Sequence, residues 1–172
     1  MKKVILPFAL YALLFNFTPA FADSSDPDVV PAVDFNRYSG LWYDIAHAPN
    51  FFQKDCVRST AEYQVLTPLS VSVKNICYKA NGSSSDIEGE AKVVDPTVPA
   101  KLKVRFNIFA RGDYWIIDLD PNYQWAVVSA PKKKSLFILS RQAPMDSVLL
   151  EKIVQSLKAK GFATEDLVYG QY

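Results

Sequence analysis

Asp34-Phe-Asn-Arg-Tyr-Ser-Gly-Leu-Trp-Tyr-Asp44 sets a glycine two residues before a tryptophan, with a tyrosine directly after it. Asp34 and Asn36 make a small polar lead-in, and Phe35 to Tyr38 reads as one short helical turn. Gly40 permits a backbone turn that a side chain would obstruct. Trp42 then sets a very large apolar surface at the start of a strand. Neighbouring side chains on a strand point to opposite faces, so Trp42 enters a core and Tyr43 leaves it. Taken alone, this is a bulky core residue at a strand start, because aromatic side chains dominate cores.

Strands follow at short intervals. Cys56 to Leu66 carries Val57, Ser59, Ala61, Tyr63 and Val65 on one face, against Thr60, Glu62 and Gln64 on the other. That is period-two alternation. Thr67-Pro68 turns the chain into Val71 to Tyr78, a connection short enough for an antiparallel hairpin. Ile87 to Val94 has small residues, Gly89 and Ala91, on one face, which leaves room beside it. Lys101 to Phe109 alternates Leu102, Val104 and Phe106 with Lys101, Lys103 and Arg105. One face is wet and the other buried, as antiparallel sheets allow. Tyr114 to Asp120, Tyr123 to Ser129 and Leu136 to Arg141 complete eight strands with Trp42 to Ala48. Closing so long a meander removes its exposed edges. The fold expected is therefore all-β: an eight-stranded antiparallel up-and-down barrel. Such a barrel encloses room for side chains or one small ligand. After Pro144 the period changes to helical, with Val148, Leu149, Ile153 and Leu157 on one face up to Gly161. Leu167 to Tyr169 reads as a short closing strand.

The chain has 172 residues, 49% of them hydrophobic, with a formal charge of +1. This suits a single domain and offers no electrostatic case for nucleic acid. One histidine, His47, and two cysteines, Cys56 and Cys77, leave little for a metal or a histidine-based catalytic site, and no cofactor is expected. Residues 1–22 read as a secretory signal peptide: Lys2-Lys3, an apolar run from Val4 to Phe17, then Ala20-Phe21-Ala22. Losing Lys2 and Lys3 takes the formal charge from +1 to −1. Residues 23–32 read as a flexible lead-in and residues 33–172 as the folded domain. No cysteine stands near the cleavage site, so no bacterial-type lipid anchor is expected; peripheral contact with a membrane is left open. Export to a periplasm or the extracellular space makes one Cys56–Cys77 disulfide the simplest state of the two thiols. The hairpin brings both to its open end.

The order of motifs resembles the lipocalins. Gly40-Leu-Trp42-Tyr43 matches the family's first signature, and Leu139-Ser140-Arg141 fits the place of its last. Within the family the likeness is to bacterial lipocalins and apolipoprotein D, through Phe35-Asn-Arg-Tyr38, Tyr114-Trp-Ile-Ile117 and Ile138-Leu-Ser-Arg141. The middle motif, Asp118-Leu-Asp120 with Tyr123, is only partly kept. The resemblance implies that Arg141 packs across Trp42 and closes the narrow end of the barrel. It also implies carriage or storage of a fatty acid, lysophospholipid or similar small hydrophobic ligand.

Candidate cavity-lining residues are Ala61, Tyr63, Ala91, Leu102, Val104, Phe106, Tyr114, Ile116 and Trp125. The strands of Tyr114 and Trp125 are apolar on both faces, so a slip of one residue reverses their sides. Phe51 and Phe52, too apolar for an ordinary loop, are placed at the mouth or folded back on the core. Two other readings stand beside carriage. A structural or host-interaction protein would use the exposed loops. An enzyme would need His47 and one of Asp44, Asp118 or Glu62 to act together, and nothing in their spacing makes them a unit.

Overall fold

A computed structural model describes residues 25–108 and 110–172. The signal peptide expected over residues 1–22 lies outside them. The element order is α1 (Phe35–Tyr38), β1 (Gly40–His47), β2 (Cys56–Thr67), β3 (Ser70–Lys79), β4 (Ser84–Val93), β5 (Lys101–Arg105), β6 (Arg111–Leu119), β7 (Trp125–Ser129), β8 (Leu136–Ser140), α2 (Ser147–Ala159) and β9 (Val168–Tyr169). Strands β1 to β8 pair antiparallel in sequence, and β1 pairs with both β2 and β8, so the sheet closes into a barrel.

The start of β1 is held by the helical turn before it. The Asp34 carboxylate accepts from the Asn36 amide at 2.9 Å and caps α1. Gly40, at φ +94°, turns the chain from α1 into the strand. The lower half of β1 pairs with β2, Gly40 opposite Tyr63 through Asp44 opposite Ser59. Its upper half leaves β2 and pairs with β9 instead, Ala46 opposite Tyr169 and His47 opposite Val168. The C-terminal residues then cover the seam: the Tyr172 hydroxyl donates to the Ser59 carbonyl at 2.6 Å and to the Asp44 carbonyl at 3.1 Å.

Two apolar clusters result. One fills the barrel, with Trp42, Ala61, Tyr63, Leu102, Ile116, Val128 and Leu139 among its members. The other lies outside, where Ile153 and Leu157 of α2 meet Trp115, Ile117, Val127 and Ile138. Asp146 caps α2 by accepting from the Leu149 amide at 2.8 Å. Burying each of those α2 side chains stabilises the docked helix by about 1.5–3 kcal/mol.

Three details depart from the sequence reading. Strand β5 ends at Arg105, and Phe106 enters a turn closed by its amide donating to the Ala110 carbonyl at 2.8 Å. The room beside Gly89 is taken by that turn, since a Cβ there would stand 2.4 Å from the Arg105 carbonyl oxygen. The lead-in is also tied to the barrel where it is described. Asp26 accepts from the Lys132 amide, and the Val30 amide donates to the Ile116 carbonyl.

Cys56 and Cys77 are joined in a disulfide across the β2–β3 hairpin, with a sequence separation of 21. A loop of that size stabilises by about 3 kcal/mol in the chain-entropy account. Thiol titration of the native protein without reductant is expected to find no free thiol, and the Cys56→Ser/Cys77→Ser double variant is expected to lose about 3 kcal/mol in urea unfolding.

Candidate functional site

One end of the barrel is sealed by Trp42. Its indole is fully buried, and Nε1 donates to the Tyr38 carbonyl at 2.7 Å. The Arg141 guanidinium, just past β8, lies over the ring at 3.8 Å from its centroid. Nη1 donates to the Leu41 carbonyl at 2.7 Å, and Nη2 to the carbonyls of Arg37 and Ser39, both at 2.8 Å. These acceptors belong to the end of α1 and the start of β1, where no helix or ladder partner serves them. A planar five-donor fork meets them and stacks on the indole together, which lysine does not. Gly40 is needed here a second time: a Cβ would stand 3.3 Å from Arg141 Nη1. Tyr43 points outward and meets Tyr172 edge-on.

Above this seal lie three buried tyrosines. Tyr38 and Tyr114 share a hydrogen bond of 2.7 Å, and Tyr114 donates to Tyr63 at 2.9 Å. Burial pushes all three phenols above the ordinary tyrosine pKa; the neighbouring phenols push Tyr38 and Tyr114 further, and Asp44 pushes Tyr63. The lower barrel is thus floored by aromatic rings, with hydroxyls between them.

Further up, the wall formed by β1 and β2 turns polar. Asp44, His47 and Ser59 are all buried. His47 Nδ1 lies 2.9 Å from Asp44 Oδ2, and Gln53 Nε2 donates to the same oxygen at 2.7 Å. A bulge in β1 between Asp44 and Ala46 makes this grouping. Strict alternation would send Ala46 inward after Trp42 and Asp44. With the bulge, Ala46 joins the outer cluster and the His47 ring comes 6.1 Å from that of Phe137, which packs on the inner one. The mouth loop is anchored from the same place. Asn50 accepts from the Gln53 amide at 3.0 Å and donates to its side-chain oxygen at 2.7 Å. That short turn leaves Phe51 and Phe52 outward, 76% and 80% exposed, rather than folded on the core.

Of the lining residues expected, Ala61, Tyr63, Ala91, Leu102 and Ile116 are buried in the inner cluster, and Val104, Phe106 and Tyr114 pack against it. Trp125 does not: it packs in the outer cluster with α2. Its strand is apolar on both sides, and the smaller Ala126 and Val128 take the inner one. Tyr38, Ser59 and Phe137 were absent from the expected lining. Tyr38 arrives from α1 rather than from a strand, and Ser59 is a small polar residue on an inward face. The carboxylates considered for catalysis separate. Glu62 is exposed on the outer face, Asp118 lies 3.3 Å from Lys160 outside the barrel, and only Asp44 stands with His47. Among the described residues no group of His, Cys, Asp and Glu could hold a metal ion.

A family model for the lipocalin-like domain matches residues 33–171. The chain belongs to the lipocalin family. Lipocalins bind small hydrophobic ligands. This lipocalin is 35% identical over 147 residues to the outer membrane lipoprotein Blc of Vibrio cholerae, covering 83% of this chain and 86% of that one. It is 37% identical over 98 residues to apolipoprotein D of Macaca fascicularis, 56% of this chain and 51% of that one. The solved structure of insecticyanin from the tobacco hornworm Manduca sexta shares the fold, with a TM-score of 0.65 at 16% identity over 90% of this chain and 88% of that one.

The tyrosines give a pH dependence with a definite sign. Their pKa values are raised in the folded lipocalin, so on unfolding they release protons at a pH where the native state keeps them. The folded state then binds more protons than the unfolded one, and stability falls as pH rises. Urea unfolding is expected to show full stability below pH of about 10, the unfolded phenol value, and a progressive loss above it.

Proposed function

We propose that this lipocalin takes a small hydrophobic ligand, a fatty acid, lysophospholipid or similar lipid, into its barrel and carries or stores it outside the cytoplasm. The observation that supports this reading is the asymmetry of the barrel. Arg141 and Trp42 seal one end, while the other is ringed by loops and bordered by outward aromatic side chains. Apolar walls between them favour an apolar ligand by roughly 25 cal/mol per Å² removed from water. A hydrophobic site with a few placed polar groups is the usual form of a small-molecule pocket. Phe51 and Phe52 suit contact with a lipid surface from which such a ligand is drawn. Export is supported by the apolar N-terminal run and by the disulfide, which persists in oxidising compartments.

Native mass spectrometry of the purified protein is expected to show a co-purified lipid-sized mass. Titration with the fluorescent hydrocarbon diphenylhexatriene is expected to saturate near about one equivalent. Val104→Trp, which fills the upper barrel, is expected to weaken uptake by about tenfold or more. A protein that carries no lipid and takes up no hydrocarbon contradicts the reading.

A further inference from the structure

The upper barrel holds polar atoms that the fold leaves unused. Asp44 is 4% exposed, His47 5% and Ser59 6%. Asp44 and Ser59 face each other across the β1–β2 register, on the inward face shared with Trp42, Ala61 and Tyr63. Among the described residues, Asp44 Oδ1, His47 Nδ1 and Ser59 Oγ have no hydrogen-bond partner. Nδ1 lies near Asp44 Oδ2, but the two are not aligned for a hydrogen bond. Gln53 satisfies one carboxylate oxygen and leaves the other bare. Help from behind the wall is absent, because the Tyr172 hydroxyl there serves the carbonyls of Ser59 and Asp44.

A buried carboxylate oxygen without a donor carries a large desolvation cost, and so does a buried hydroxyl. Buried polar atoms of this kind call for a partner, and a ligand group entering the barrel supplies one. Their chemistry is directional. Asp44 Oδ1 accepts only, and its charge favours a cation or a neutral donor. An incoming carboxylate would be set against it, like charge on like charge. Ser59 can donate or accept. A hydroxyl head could give a proton to Asp44 and receive one from Ser59, which faces Asp44 across the register.

We infer that Asp44, His47 and Ser59 form a head-group site for the carried ligand, and that it takes an amphiphile whose head donates hydrogen bonds, an ammonium or a hydroxyl, in preference to a carboxylate of the same chain. The inference rests on the carrier reading and narrows its ligand away from free fatty acids.

Displacement of bound diphenylhexatriene by dodecylamine, dodecanol and dodecanoate, below their micellar concentrations, tests it. The expected order is amine, then alcohol, then carboxylate, with about tenfold or more between the first and last. Asp44→Asn is expected to shrink that gap by about tenfold. Ser59→Ala keeps the charge and is expected to keep the order while weakening dodecanol about threefold. Near-ultraviolet circular dichroism checks that each variant folds; should Asp44→Asn not fold, the wild-type order and Ser59→Ala decide. Dodecanoate binding as tightly as dodecylamine, or an unchanged gap in folded Asp44→Asn, overturns the inference while hydrocarbon uptake leaves the carrier reading standing. If no hydrocarbon is taken up, the carrier reading falls and this inference with it.

Discussion

The guanidinium of Arg141 ties the end of β8 to the α1 turn and to the start of β1, beyond the last ladder pair, Tyr43 opposite Ser140. It comes from the end of β8, reaches the carbonyls at the end of α1 and the start of β1, and stacks on Trp42. Each charge-assisted bond contributes about 1.5–3 kcal/mol, and the stacked cation about 0.5–2. Without it those carbonyls would be left partly buried beside a large indole with no donor. Gly40 has to be a glycine for the same reason, because it turns the backbone and stands against the guanidinium.

From that seal the rest of the barrel acquires a direction. The tyrosines brought in by α1, β2 and β6 stack above Trp42 and fill the lower barrel with rings. Strand β1 then bulges, gives up β2 for β9, and presents Asp44 and His47 inward. The mouth loop is tied down onto Asp44 through Gln53, which fixes where Phe51 and Phe52 stand. The polar wall, the covered seam and the exposed aromatics are all consequences of how one strand leaves its neighbour.

Much of this was legible in the residues. The pairing of Trp42 with Arg141 came from the likeness of their two motifs to the lipocalin signatures. The disulfide followed from a hairpin whose two strands carry one cysteine each. Lys101 to Phe106 gave its inward face away by clean alternation with charged residues. Trp125 did not, because the outer side of its strand is covered by α2 and is as apolar as the inner side. The inward position of His47 was hidden for a different reason: a one-residue bulge at Ile45 reverses every face beyond it, and bulges leave little trace in hydrophobic pattern. Tyr38 was hidden because it enters from a helical turn, where strand parity says nothing.

Trp42 and Arg141 form the structural seal, and the proposed ligand lies between the tyrosines and the mouth. A crystal structure with a bromine-tailed hydrocarbon, located by anomalous scattering, tests it most directly. One bromine peak is expected inside the barrel, on the mouth side of Tyr63 and Tyr114. A peak outside the barrel, against α2, or one that displaces Arg141 from Trp42, would contradict it.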